Sequence, residues 1–255
     1  MVYKILNASI NISDEKEYIN KIIETLKNKQ KKVFFYLNSF SFYLFNTDAE
    51  FRTAFETGDY FIADGYSIVL ANKLINKIDI DKVVFTYTYE QKLGKILEEK
   101  EFKVFYLGGT TDTINKFIEK TKVDYPKQNI VGFHSGHFAL NLTPQIVEKI
   151  NNSGAQILVV GMGMPRSEIW ISSIIDILNV NCVFSVGGFF EFLAGNKKQA
   201  PGFLYNSGFE WLYRLIQEPR RLFKRYFIAN TYFIFRLVYC LLKNKKFSLK
   251  KFIEK

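Results

Sequence analysis

The sequence predicts an α/β fold, with a mainly parallel β-sheet that carries helices on both faces. Short apolar runs recur along the first two hundred residues, and most of them are followed by a helical pattern. Alternation of this kind is typical of βαβ units. No strand-like run follows residue 200, which predicts helices there. We therefore expect a Rossmann-like catalytic core at residues 1–195 and a basic, aromatic-rich helical appendage at residues 196–255.

The predicted elements follow one another with short loops. Strands are expected at 32–37, 60–65, 102–109, 129–133, 156–163 and 182–188. The helices between and after them are expected at 38–58, 66–77, 111–121, 143–154 and 165–179. Two longer helical patterns, at 200–217 and 218–246, form the appendage. Pro219 is expected in the first turn of the second, where its missing N–H is not needed.

The positive charge of the chain is concentrated in the appendage. The net charge is +10 over 255 residues. Residues 214–255 hold twelve Lys and Arg and two acidic residues, and the rest holds twenty-three of each, so the body is neutral. Five of the seven arginines lie in that segment, and arginine suits phosphate contacts. The segment is predicted to bind phosphate or anionic lipid, with an exposed basic tail as the alternative. The neutral body argues against a nucleic-acid surface.

A cytoplasmic, reducing setting is expected for this chain. The N-terminus lacks the apolar core and cleavage site of a signal peptide, and the two cysteines have no partner spacing. The uncharged run at 226–235 has ten residues, about half of what a membrane-spanning helix needs. The appendage is therefore expected to lie on a membrane surface or to pack against the core.

Three predicted strands end in glycine-rich turns, which read "YLGGTTD", "VVGMGMPRSE" and "SVGGFFEFLAG". Ligands of parallel sheets bind beyond the carboxyl ends of the strands, where helix N-termini offer N–H groups to anions. The turns therefore predict a nucleotide or sugar-nucleotide site. The second turn lacks the third glycine of a dinucleotide fingerprint, and its Pro165 and Glu168 also fit an ordinary helix start.

Asp64 is the acidic residue that best fits a catalytic role. It ends an apolar strand beside Gly65, where its carboxylate could accept a proton from an attacking hydroxyl. A helix N-cap is the alternative. The "DID" at 79–81 is expected in an exposed turn, and His134 and His137 have no third ligand nearby, so no metal is expected.

The run "SVGGFFEFLAGNKKQAPGFLYNSGFEWLYRLIQEPRRLFKRY" resembles the C-terminal signature of the WecG/TagA/CpsF glycosyltransferases, also called glycosyltransferase family 26. The family pattern is roughly GVGG-x-FD-x-x-AG-x-x-x-RAP, followed by GLEWLYRL-x-x-EPRR. The "ADG" at 63–65, the "LGG" at 107–109 and "GMGMPRSE" come in the family's order. The resemblance covers about residues 30–235.

The resemblance implies an inverting, metal-independent transfer of a sugar from a UDP-sugar to a polyprenyl-diphosphate-linked acceptor in cell-surface polysaccharide assembly. It implies that Asp64 is the general base and that Arg214 and Arg221 stabilise the leaving UDP. It also implies a peripheral position on the inner face of the bacterial plasma membrane, an anionic membrane surface as partner, and a homo-oligomer. The substrate-binding residues expected with it are Asn38, Lys82, Gly108, Gly109, Gly161, Gly163, Pro165, Glu168, Gly187, Gly188, Glu191, Lys224 and Arg225.

The sequence departs from the family pattern around the expected sugar pocket. The departing residues are Tyr36 for a threonine, Lys82 for an arginine, Phe85 for a glycine, Tyr87 for an acid, Ser167 for a glutamine, Glu191 for an aspartate and Gln199 for an arginine. These changes leave the donor open between an N-acetylhexosamine, such as N-acetylmannosamine, and glucose. They also leave open a non-catalytic relative that binds a UDP-sugar or a membrane without transferring a sugar.

Overall fold

The computed structural model describes residues 2–201, 204 and 210–253; for residues 221, 224 and 244–253 it describes the backbone alone. Its described strands are β1 (Tyr3–Ile5), β2 (Ala8–Ile10), β3 (Lys32–Leu37), β4 (Tyr60–Ala63), β5 (Val104–Gly108), β6 (Ile130–His134), β7 (Ile157–Gly161) and β8 (Cys182–Ser185). Strands β3 to β8 form a parallel sheet in the order β4-β3-β8-β7-β5-β6. The predicted α/β fold is confirmed.

Helices cover both faces of this sheet, which explains why its central strands are almost continuously apolar. The helical elements are α1 (Glu15–Lys27), α2 (Ser39–Thr47), α3 (Ala49–Phe55), α4 (Tyr66–Asn76), α5 (Phe85–Thr88), a π-helix (Tyr89–Leu93), α6 (Gly94–Glu99), α7 (Thr111–Asp124), a 3-10 turn (Leu140–Leu142), α8 (Thr143–Asn152), α9 (Arg166–Ile174), α10 (Phe189–Leu193), α11 (Glu210–Gln217) and α12 (Pro219–Ile253). One core lies under α2, α3, α8 and α9, and the other lies under α1, α7 and α10.

The single helix predicted at 38–58 is wrong, because two helices occupy this segment. Asp48 ends α2 and starts α3, with an extended backbone and a side chain that accepts a hydrogen bond from the backbone N of Phe51 at 3.0 Å. An aspartate is a favoured N-cap, so it restarts the helix in a new direction. The hairpin β1–β2, α1 and the helical segment Phe85–Glu99 were not predicted.

The appendage packs onto the core through the middle of α12. Phe233 and Leu237 are buried in the core under α2. The ring of Phe233 meets the edge of Phe42 at 5.1 Å, and Ser39 Oγ donates to Asn230 Oδ1 at 2.6 Å. Helix α12 begins at Pro219 as predicted. Among the helices of the described residues, none combines the length and the hydropathy that a membrane span requires.

Candidate active site

A cavity of about 540 Å³ lies at the carboxyl edge of the parallel sheet. Its walls come from the loops after β3, β4, β5, β7 and β8, and α11 and α12 close one side. This position follows from the topology, because all parallel strands of a sheet end at the same edge. The cavity therefore brings together residues that lie far apart in the sequence.

Asp64 and Asn38 form a hydrogen-bonded pair in the cavity wall. Asn38 is the N-cap of α2, and its Oδ1 accepts from the backbone N of Phe40 and of Ser41, each at 3.0 Å. The amide is thereby oriented so that its Nδ2 donates to Asp64 Oδ2 at 3.1 Å. The N-cap alternative for Asp64 is wrong, because Gly65 is the N-cap of α4 and the helix has no side-chain cap.

The electrostatic surroundings of Asp64 suit a group that exchanges a proton. Burial raises its pKa above the ordinary value, and Arg214 together with the hydrogen bond from Asn38 opposes that rise. Nearby Glu210 raises the pKa further, and Lys82 lowers it. The net direction is upward, so the carboxylate is a stronger base than an exposed aspartate.

Arg214 reaches the cavity from α11 and is held there by Glu210. One guanidinium nitrogen donates to Glu210 Oε1 at 2.7 Å, and the other oxygen of Glu210 accepts from Lys82 Nζ at 3.0 Å. The guanidinium lies 5.0 Å from the centre of the Phe192 ring. Glu210 thus fixes both cations and ties α11 to the core. Sequence reasoning did not identify Glu210, although its spacing of four residues from Arg214 is typical of a helical ion pair.

The glycine-rich turns contribute backbone to the cavity, with one exception. The glycines that line it are Gly109, Gly161, Gly163, Gly187 and Gly188. Gly108 is not among the lining residues, and a Cβ there would come within 2.2 Å of the Phe190 ring. Its lack of a side chain is therefore explained by packing against Phe190, and its role in substrate binding stays a prediction.

Other predicted residues fall into three groups. Glu168, Glu191 and Arg225 line the cavity. Pro165 is the N-cap of α9 and Lys82 pairs with Glu210, and neither is a lining residue. The side chains of Arg221 and Lys224 lie outside the described residues.

Glu191 and Arg225, which both line the cavity, each contact defined neighbours. Glu191 Oε1 accepts from Thr113 Oγ1 at 3.2 Å, and its Oε2 accepts from Asn196 Nδ2 at 3.1 Å. Arg225 lies 3.9 Å above the centre of the Phe40 ring, a cation–π contact with α2. Both side chains are thus held in place before any ligand binds.

Two of the residues that depart from the family pattern meet in the cavity wall. The ring of Tyr36 lies 6.5 Å from that of Phe85, edge to face, and both line the cavity. The Tyr36 hydroxyl is 2.7 Å from the hydroxyl of Tyr18, which is fully buried. Part of the cavity wall is therefore aromatic.

The residues considered for a metal have other surroundings. Asp79 pairs with Lys73 at 2.8 Å and its side chain is 79% exposed, as expected, whereas Ile80 beside it is buried. His134 Nδ1 lies 2.7 Å from the carbonyl oxygen of Ser135. Across the described residues, no three His, Cys, Asp or Glu side chains are grouped to hold a metal ion.

Comparison with known proteins connects this cavity to a family. The model of the glycosyl transferase WecG/TagA/CpsF family matches residues 3–247. A curated protein of Bacillus spizizenii, N-acetylglucosaminyldiphosphoundecaprenol N-acetyl-beta-D-mannosaminyltransferase, is 28% identical over 171 residues. The matched region covers 67% of this chain and 65% of the length of that relative.

Proposed function

The chain belongs to the WecG/TagA/CpsF glycosyl transferase family, and on that premise we propose that it transfers a sugar from a UDP-sugar to a polyprenyl-diphosphate-linked acceptor. The observation that carries this proposal is the placement of Asp64. Its carboxylate lies in a cavity of about 540 Å³ and accepts a hydrogen bond from the oriented amide of Asn38. The positive charge of Arg214 is close enough to lower its pKa. A cavity of this size accommodates a nucleotide-sized ligand.

The reaction is a single displacement with inversion at the anomeric carbon. The acceptor hydroxyl attacks that carbon, its oxygen forms the new glycosidic bond, and the hydroxyl proton passes to Asp64. The bond between the anomeric carbon and the diphosphate oxygen breaks, and its electron pair leaves with UDP. Asn38 keeps the Asp64 carboxylate in one orientation throughout, because its amide is itself fixed by the α2 backbone.

In this proposal the negative charge that develops on UDP is stabilised by positive groups of the cavity lining. Arg214 and Arg225 line the cavity together with the glycine-rich turns after β5 and β8, whose backbone N–H groups can receive an anion. These groups perform the stabilisation that a divalent cation provides in other transferases. We therefore propose a metal-independent reaction.

The approach to a lipid-linked acceptor is assigned to α12. Phe223 is 60% and Phe227 64% exposed, and their rings stack at 5.8 Å on the helix that also supplies Arg225 to the cavity. Exposed aromatics beside basic residues suit the surface of an anionic membrane. The proposed location is the cytoplasmic face of the plasma membrane, as a peripheral protein.

The donor proposed first is UDP-N-acetylmannosamine, because the Bacillus relative is named for transfer of that sugar to an N-acetylglucosaminyl-diphosphate acceptor. UDP-glucose is the second donor to test. Each donor is incubated with the protein, EDTA and a short-chain polyprenyl-diphosphate N-acetylglucosamine, and the products are identified by mass spectrometry. Transfer of one sugar in EDTA is expected. UDP binding without transfer from any donor would instead indicate a non-catalytic relative.

A further inference from the structure

One buried carboxyl group in the cavity has no part in the displacement described above. Glu168, in the first turn of α9, is 2% exposed and lines the cavity. Its Oε1 accepts a hydrogen bond from Ser185 Oγ at 2.6 Å. Its Oε2 is buried and has no hydrogen-bond partner among the described residues. An unpaired buried carboxyl oxygen is costly, and a ligand that supplies the missing partner removes that cost.

The residue before it shows that α9 presents Glu168 alone to the cavity. Ser167 is 1% exposed, and its Oγ accepts from the backbone N of Met162 at 3.0 Å. Its hydroxyl is therefore engaged in the turn after β7. Of the residues in α9, Glu168 is the one that lines the cavity. Recognition of a ligand by this helix thus depends on a single carboxyl group.

The strand order places Glu168 between the proposed base, Asp64, and the glycine-rich turn after β5. Ser185 ends β8, which lies between β3 and β7 in the sheet. Asn38 and Asp64 follow the strands on one side, and Gly109 follows a strand on the other. If the proposed function holds, the sugar spans this middle region, because its anomeric carbon lies between the base and the leaving diphosphate.

We propose that Oε2 of Glu168 hydrogen-bonds a hydroxyl or amide group of the transferred sugar, and that this contact helps to select the donor. For the ionised form of Glu168 a neutral polar group is the better partner, since a diphosphate would be repelled by a carboxylate. A site built to pair with a hydroxyl discriminates strongly against sugars that lack it, because the protein group is then left unpaired.

The protonation of Glu168 is compatible with such a partner. Burial raises its pKa, whereas the hydrogen bond from Ser185, a contact with the backbone N–H of Glu168 itself and the nearby charge of Arg225 lower it. A hydroxyl group both donates and accepts hydrogen bonds, so it can pair with Oε2 in the ionised and in the neutral form.

Isothermal titration with UDP, UDP-N-acetylmannosamine and UDP-glucose tests the proposal. Glu168→Ala is expected to weaken binding of the preferred UDP-sugar about tenfold or more and to leave UDP affinity within about twofold. Glu168→Gln keeps the volume and a polar group, so a smaller loss is expected. Glu119→Gln, on the exposed face of α7, is the matched control and should bind like wild type. Thermal melts establish whether each variant is folded. If Glu168→Ala does not fold, the proposal is tested with Glu168→Gln alone.

The outcomes separate this inference from the proposed function. Equal weakening of UDP and UDP-sugar binding would place Glu168 at the nucleotide and overturn the proposal. Wild-type affinities in both Glu168 variants would also overturn it, while transfer by the wild-type protein would leave the proposed function standing. A wild-type protein that binds neither UDP nor any UDP-sugar would contradict the proposed function itself.

Discussion

The side-chain amide of Asn38 donates a hydrogen bond of 3.1 Å to Oδ2 of Asp64, and the same amide caps α2 through its oxygen. The start of a helix and the orientation of the proposed base thus depend on one side chain. The pair joins the ends of two neighbouring strands, β3 and β4. A change at Asn38 is therefore expected to alter both the stability of α2 and the proton affinity of Asp64.

The first prediction concerns the pH dependence of transfer. Asn38→Ser retains a residue that caps helices well but removes the Nδ2 donor. That hydrogen bond lowers the pKa of Asp64, so its loss lets burial raise the pKa further. The acid limb of kcat/KM against pH is expected to move to higher pH. Asn115→Ser, exposed on α7, should leave the limb in place. An unshifted limb in Asn38→Ser would show that Asp64 does not control it.

The second prediction concerns stability. Burial raises the pKa of Asp64 in the folded protein, so the folded state holds this proton more tightly than the unfolded chain does. The stability that the proton provides is present at low pH and is lost as pH rises through the folded pKa. Asp64→Asn is therefore expected to melt at a higher temperature than wild type at pH 7, with a smaller difference near pH 4. Asp112→Asn, with its side chain 69% exposed, is the control. A lower melting temperature for Asp64→Asn at pH 7 would contradict the conclusion that the buried, ionised carboxylate destabilises the folded protein.

The third prediction concerns Arg214. Removal of one group that stabilises developing charge typically costs about 10²–10³ in kcat. Arg214→Gln is expected to lose activity on that scale, and Glu210 keeps Lys82 as a partner in the variant. Steady-state kinetics with a soluble short-chain acceptor measure the loss without a membrane contribution. Arg220→Gln, exposed in the first turn of α12, is the matched control. A kcat for Arg214→Gln equal to that of the control would exclude Arg214 from the reaction.

The fourth prediction concerns the exposed aromatic stack of α12. Replacement of Phe223 and Phe227 by serine removes two rings that are 60% and 64% exposed, so the fold should be kept. Flotation with vesicles that contain anionic phospholipid is expected to show at least about tenfold weaker binding, because burial of each ring in a membrane contributes roughly 1.5–3 kcal/mol. Val123→Ser, on a side chain 79% exposed in α7, is the control. Equal binding by both variants would argue against this face as the membrane contact.

The fold was predictable from the sequence because burial on both faces leaves a simple signal. Runs such as "KVFFYL" are apolar throughout, and each predicted strand is present in the sheet. The break at Asp48 was not predicted because the helical pattern of residues 38–58 continues across it. An aspartate can lie inside a helix as well as at its N-cap. The split of the chain at residue 195 stays a prediction.

The site was predictable only where strand ends mark it. Asp64 and the glycines stand at such ends, so topology alone brings them together. Glu210 could not be assigned in the same way, since its partner Lys82 lies 128 residues earlier in the chain. Gly108 shows the converse, because a glycine beside the site can be required by the Phe190 ring rather than by a ligand. The roles assigned to the site residues stay predictions until the variants are measured.

The role of Asp64 as the base is tested most directly by the transfer rate of Asp64→Asn with the preferred UDP-sugar and a polyprenyl-diphosphate-linked acceptor. Asparagine has the shape of aspartate but cannot take up the hydroxyl proton. We expect a folded variant that binds UDP like wild type and transfers on the order of 10²–10⁴ times more slowly. A folded Asp64→Asn variant that transfers at the wild-type rate would contradict that role.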